Sequence, residues 1–159
     1  MRFVVVIVYG LLFGTLMVVF SVAMIPYRFA YVLSESMEPT LLTNERLLVR
    51  TDVDAGFGDI IVFVKDFEDG HGRVLVVKRV VGVAGDQLVS DDTYLTRNGE
   101  VIRESIGEFK LVVPNDCFFV VGDNTQRSYD SRYWESPWVG AQDVIGVVIR
   151  GKSGLRKVE

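Results

Sequence analysis

Histidine is nearly missing from this chain: His71, in the run EDGHGR, is the only one. Cysteine is as scarce, with Cys117 standing alone. A single cysteine excludes an intrachain disulfide, and one cysteine with one histidine cannot build an ordinary zinc site. No metal centre and no cofactor are expected. In NDCFFVVGDN the cysteine adjoins an apolar run and reads as a small buried residue. A basic surface is also lacking: the net charge is −4 and the pI about 5.1, which argues against a nucleic-acid partner.

Charge is absent altogether from one segment. Phe3 to Ile25, FVVVIVYGLLFGTLMVVFSVAMI, holds roughly 23 residues without one charge, about 35 Å as a helix against a hydrocarbon core of about 30 Å. A cleaved leader has a shorter apolar region. A helix apolar all round needs a large protein to bury it, and 159 residues supply no such interior. The expectation is one membrane-spanning anchor within residues 1–28, ended by Pro26-Tyr27-Arg28, and a second unit over 29–159. Arg2 before the run and Arg28 after it nearly balance, so the bias of cytoplasmic loops toward Lys and Arg leans only slightly to an inside N-terminus.

Beyond the anchor the chain reads as β. ERLLVRTD, DIIVFVKD, RVLVVKRVVGV, DCFFVVGD and DVIGVVIRG are short runs rich in Val, Ile and Phe between Gly, Asp and Asn clusters. EDGHG, residues 68–72, reads as a hairpin tip, and Asn98-Gly99 as a two-residue hairpin turn. With no repeat and no linker, the expected fold is mainly β: a compact antiparallel barrel or sandwich preceded by one transmembrane helix.

Three polar stretches stand out. SESMEPT, just past the anchor, sets Ser34 and Ser36 two residues apart. VLVVKRVVGV alternates so that Val76, Lys78 and Val80 share one face and Val77, Arg79 and Val81 the other. If either face is buried, a cation is buried with it. Lysine can respond by losing its proton, because desolvation favours the neutral amine, whereas arginine cannot. A neutral amine within reach of a serine hydroxyl is a working nucleophile and base. Alone, Lys78 reads more plainly as a snorkelling or salt-bridged strand lysine. The third stretch, GDNTQRSYDSRYW, gathers carboxylates, amides and hydroxyls around Arg127 and Arg132, as a shell holding a base would. Alone, it reads as an Asx-rich surface turn.

Together, in this order and at about this spacing, SESMEPTL, VKRVVGVAGD and GDNTQRSYDSR resemble the type I signal peptidase family, which also carries an anchor in front. The resemblance implies Ser36 as nucleophile and Lys78 as general base and later acid. It implies an oxyanion hole from the Ser36 backbone N–H and the Ser34 hydroxyl, and a hydrogen bond from Ser128 to the lysine amine. Asp130 and Arg132 match the supporting charged pair, and Arg79 the basic position beside the lysine. It further implies preprotein signal peptides as substrates, with small residues at −3 and −1, and the lipid bilayer as a partner. The catalytic unit would then stand on the outer or periplasmic face of the plasma membrane, or of an organellar inner membrane. Oligomeric state is not indicated.

Three departures stand against that pattern. Ala84 replaces the usual proline, about 43 residues separate Lys78 from Gly122 and leave little room for an accessory subdomain, and WESPWVG is bulkier than the usual continuation. The alternatives are a self-cleaving repressor with a serine-lysine dyad, and a non-catalytic membrane-anchored β module. The first lacks its helix-turn-helix here. The second gives no reason for a lysine in a valine strand.

Overall fold

A computed structural model of the chain describes residues 2–23, 26–67 and 72–150. Helix α1 (Arg2–Ala23) forms despite many β-branched residues and two glycines, and Pro26 beyond it is unsuited to a helix interior. The charge-free segment is thus helical over most of its length. The side chains near both ends of α1, and Met24 and Ile25 entirely, lie outside the described residues. Among the described residues no helix is long and apolar enough to cross a membrane. Those of its apolar side chains that are described, including Leu11, Phe13 and Val18, are exposed.

The remainder is β. The strands are β1 (Tyr27–Tyr31), β2 (Arg46–Arg50), β3 (Ile60–Phe67), β4 (Gly72–Val83), β5 (Gln87–Ser90), β6 (Tyr94–Arg97), β7 (Glu100–Glu104), β8 (Phe109–Val112), β9 (Cys117–Val121), β10 (Val139–Gly140) and β11 (Val144–Arg150). They form a seven-stranded sheet in the order β1-β2-β11-β3-β4-β9-β10 and a four-stranded sheet in the order β7-β6-β5-β8. Every pairing is antiparallel. The larger sheet is open, with β1 and β10 at its edges. The expectation of a mainly antiparallel β fold is met. Of the alternatives named for its shape, a closed barrel is not what forms among the described residues.

The strand that positions the site is doubly buried. In β3, Ile60 and Val62 join a core with Met37, Leu41 and Leu47, while Ile61 and Phe63 join a second with Val80, Val120 and Trp134. A strand with both faces covered reads as a continuous apolar run rather than an alternation, and IIVFV does. Its partner β4 keeps the expected alternation: Val76 and Val80 pack with the second core and Val77 with the first. The hairpin between them closes with Phe67 opposite Gly72, and its tip, residues 68–71, lies outside the described residues. The other expected hairpin is clear: Asn98 and Gly99 take φ of 54° and 88°, the left-handed pair that a two-residue turn between twisted strands requires.

The smaller sheet docks through a third core, in which Leu88 and Leu95 meet Val81, Phe119 and Val121 of the larger one. Phe119 is its centre, with Phe109 at 5.3 Å and Trp138 at 6.2 Å between ring centroids. Phe119→Ala should therefore lose about 3–5 kcal/mol, the usual cost of removing a buried aromatic side chain. Urea unfolding followed by tryptophan fluorescence measures it. A loss below about 1 kcal/mol would mean that the two sheets do not share this core.

Candidate active site

Ser36 sits in a short helical turn, Glu35–Met37, whose position is fixed from one side by apolar burial. Met37 and Leu41 are wholly enclosed in the first core, so the residue before Met37 has little freedom. From the other side the loop after β9 holds its backbone. The Asn124 backbone N–H donates to the Ser36 carbonyl at 3.0 Å, and the Asn124 side-chain amide donates to the Glu35 carbonyl at 3.1 Å. Arg127 adds an exposed ion pair to Glu35 at 2.7 Å.

Lys78 reaches Ser36 from the centre of β4. Its Nζ lies 2.6 Å from Ser36 Oγ, and only 4% of the lysine and 5% of the serine are exposed. Burial pushes the amine down from 10.5 to about 8. Asp130 pulls it back up, Arg132 offsets Asp130, and Asp123 adds a smaller upward pull. Ser34 Oγ is the second polar neighbour of the Ser36 hydroxyl, at 3.1 Å, and Ser34 itself is exposed.

The supporting pair is built as one unit. Asp130 is fully buried and takes a two-pronged bond from Arg132, Nε to Oδ1 at 2.7 Å and a terminal nitrogen to Oδ2 at 2.9 Å. Such a fork is the strongest form of this ion pair. Oδ2 also accepts from the Gly122 backbone N–H at 2.9 Å and from the Ser128 hydroxyl at 2.6 Å. Arg132 donates further to the carbonyls of Thr125 and Ser128. Sequence and structure part over Ser128. Its hydroxyl is committed to Asp130, and no hydrogen bond joins it to the Lys78 amine among the described residues. A carboxylate two residues away is the stronger acceptor for a buried O–H.

Arg79 points away from the dyad, gripping Asp123 through two bonds at 2.8 and 2.7 Å and donating to the Gly58 carbonyl at 2.8 Å. Its place beside Lys78 thus ties β4 to the loop that holds Ser36. His71 lies outside the described residues.

Three contributors had no individual role assigned from sequence: Gly122, Asp123 and Asn124. A Cβ on Gly122 would collide with the Ser128 side chain and come within 2.5 Å of the Ser36 carbonyl oxygen, so only glycine lets the two segments touch. A glycine immediately after an apolar strand was the available signal for that close approach.

The arrangement is a hydroxyl, an amine whose hold on its proton is weakened by burial, and a charge-balanced scaffold behind them. It can activate an oxygen nucleophile without metal or imidazole. The family described as “Signal peptidase, peptidase S26” matches residues 3–150. “Probable signal peptidase I-2” of Synechocystis is 34% identical over 124 residues, covering 65% of this chain and 54% of that one. “Signal peptidase I P” of Bacillus subtilis subsp. natto is 33% identical over 153 residues, covering 83% and 80%. “Mitochondrial inner membrane protease subunit 1” of Saccharomyces cerevisiae is 33% identical over 134 residues, covering 79% and 67%. This chain belongs to the signal peptidase family, peptidase S26. It spans about half the length of the Synechocystis relative and four-fifths of the Bacillus one.

The depressed amine has a consequence for stability. In the unfolded chain Lys78 titrates near 10.5, in the folded one at about 8. Below pH 8 the folded state bears the whole cost of a buried ammonium, about 3 kcal/mol at 1.36 kcal/mol per tenfold in proton affinity. Between 8 and 10.5 the unfolded state binds more protons, so stability rises with pH and the cost is relieved. Lys78→Met should be more stable than the parent by up to about 3 kcal/mol at pH 7, with the gap closing toward pH 10.5. Urea unfolding at several pH values tests this. Equal stabilities at pH 7 would mean that the amine is not buried at a cost.

Proposed function

We propose that this chain is a serine endopeptidase that removes signal peptides from exported preproteins, with Ser36 and Lys78 as its dyad. The observation that carries the reading is the 2.6 Å contact between Ser36 Oγ and a lysine amine held near pKa 8. At pH 7 about one molecule in ten then has the neutral amine, against fewer than one in a thousand for a free lysine.

The neutral amine accepts the Ser36 hydroxyl proton as Oγ attacks the scissile carbonyl carbon. Negative charge collects on the carbonyl oxygen, which the Ser36 N–H and the Ser34 hydroxyl receive. The Lys78 ammonium then gives its proton to the leaving amine, the C–N bond breaks, and an ester links the signal peptide to Ser36. Lys78, neutral again, takes a proton from the water that attacks the ester and returns it to Ser36 Oγ as the acyl–oxygen bond breaks, which frees the signal peptide and restores the serine. Asp130 and Arg132 hold the local charge near zero while the amine cycles, Ser128 braces Asp130, and Arg79 anchors the serine-bearing loop through Asp123.

In this reading residues 1–28 are the membrane anchor and 29–159 the peptidase unit, standing on the outer face of the plasma membrane or of an organellar inner membrane. Support comes from the charge-free apolar run, and from the relative named for a mitochondrial inner membrane. Digestion of right-side-out vesicles should reach residues 30–159. Protection there would overturn the topology.

Incubation of detergent-solubilised protein with a preprotein tests the chemistry. Ser36→Ala and Lys78→Arg should abolish cleavage, since a guanidinium cannot accept the serine proton. Ser34→Ala should lose about 10² to 10³ in rate, as for one oxyanion donor. His71→Ala should change nothing. Parental activity should rise with pH through about 8. Near-normal turnover by Lys78→Arg, or loss in His71→Ala, would place the base elsewhere.

A further inference from the structure

Two successive carbonyls, those of Glu35 and Ser36, are held by one residue. The Asn124 backbone N–H donates to the Ser36 carbonyl at 3.0 Å, and its side-chain amide donates to the Glu35 carbonyl at 3.1 Å. The Glu35 carbonyl accepts a second bond, from the Glu38 backbone N–H at 3.1 Å. Both lone pairs of that oxygen are then used. The peptide units on either side of Ser36 are thus pinned from the loop after β9. The exposed ion pair of Arg127 with Glu35 adds little to that hold.

The first of those units ends in the Ser36 N–H. A peptide bond is planar, and in its trans form the C=O and N–H point in opposite directions. Fixing the Glu35 oxygen against Asn124 therefore aims the Ser36 N–H away from that loop. Among the described residues this N–H donates to nothing. Ser34, which precedes the turn and could cap it, makes no side-chain bond to the turn's backbone, and its hydroxyl lies 3.1 Å from Ser36 Oγ instead. A donor aimed through its own peptide plane, and left without an acceptor beside a hydroxyl nucleophile, is prepared for developing negative charge. Hydrogen bonds accepted at the carbonyl end also polarise the same amide and strengthen its N–H as a donor.

We propose that Asn124 is a positioning residue for the oxyanion hole: its side-chain amide holds the Glu35–Ser36 peptide so that the Ser36 N–H meets the carbonyl oxygen of a bound chain. The assignment rests on the peptidase reading with Ser36 as nucleophile. Asn124 acts differently from Asp130, Arg132 and Asp123, whose charges bear on the Lys78 amine. It is neutral, and its bonds run to the serine-bearing turn. Its removal therefore weakens the donor and leaves the base as it was.

The test removes the amide and keeps the backbone bond, with Asn124→Ala and with Asn124→Asp, whose carboxylate has the amide's shape but no proton to donate at neutral pH. Each is assayed on a cleavable peptide and on the same peptide with sulfur in place of the scissile carbonyl oxygen, a far weaker acceptor. For the oxygen peptide, kcat should fall roughly fivefold to tenfold in Asn124→Ala, the scale of one hydrogen bond, with KM held within about twofold. For the sulfur peptide kcat should fall less, so the oxygen-to-sulfur ratio narrows in both variants. The pH midpoint of Asn124→Ala should stay at the parent's. An equal fall for both peptides would show Asn124 placing the Ser36 hydroxyl instead, and an unchanged kcat would show no role; either overturns the proposal. If the parent cuts neither peptide, the peptidase reading falls and the oxyanion role with it. The Ser36 amide nitrogen resonance, which responds to hydrogen bonding at the preceding carbonyl, then decides what is left. An upfield move in Asn124→Ala keeps the pinned peptide, and no move removes it.

Discussion

The contact on which everything else in this structure depends is the 2.6 Å approach of Lys78 Nζ to Ser36 Oγ. In water that pair would be a charged ammonium beside an unreactive alcohol. Only desolvation lets the amine shed its charge so far below the usual lysine range, and desolvation needs a rigid apolar enclosure, because a loosely held lysine would turn its head to solvent. The lysine is therefore placed in a central strand between Val76 and Val80, not on a loop. The serine is carried by a turn whose next residue, Met37, is embedded in the core. On the proposed reading, two requirements that oppose each other, burial for the base and access for the nucleophile, meet where the Ser36 turn lies against the middle of β4.

Burial alone would not suffice, since a buried carboxylate nearby would restore the charge on the amine. At an effective dielectric of about 20, two charges 4 Å apart interact by about 4 kcal/mol, enough to cancel a depression of this size. Asp130 is such a carboxylate, and the structure commits it almost entirely to other partners: Arg132, the Gly122 amide and the Ser128 hydroxyl. What remains to Lys78 is a dipole more than a charge. Asp123 is treated in the same way by Arg79. Each acid near Lys78 is matched with its own guanidinium, so both cations act on the amine by neutralising the acids that face it.

Much of this was legible in the sequence because it depends on patterns that residues carry locally. The strands IIVFV and CFFVV announce themselves through β-branched and aromatic content, the Asn98-Gly99 turn through its left-handed requirement, and a buried cation through one lysine in a valine run. The less legible parts depend on which of several acceptors a group finally meets. Ser128 could have faced the amine or Asp130, and the stronger acceptor took it. Whether strands stop at two open edges or close on themselves depends on pairings between distant segments, to which local alternation is blind.

The two polar neighbours of Ser36 lie in opposite surroundings, and the difference bears on how the site would work. Lys78 is enclosed by the protein itself, so its amine is already depressed before any substrate arrives. Ser34 is exposed, so its hydroxyl competes with water until a bound chain covers it. A donor that becomes dry only under the substrate contributes little to the resting protein. It contributes most when negative charge develops on the carbonyl beside it, because the same bond is stronger once water is excluded. On the proposed reading, the base is prepared by folding and the oxyanion donor by binding. That division would suit a nucleophile at the exit of an apolar helix, where the chain that covers Ser34 would itself be the chain to be cut.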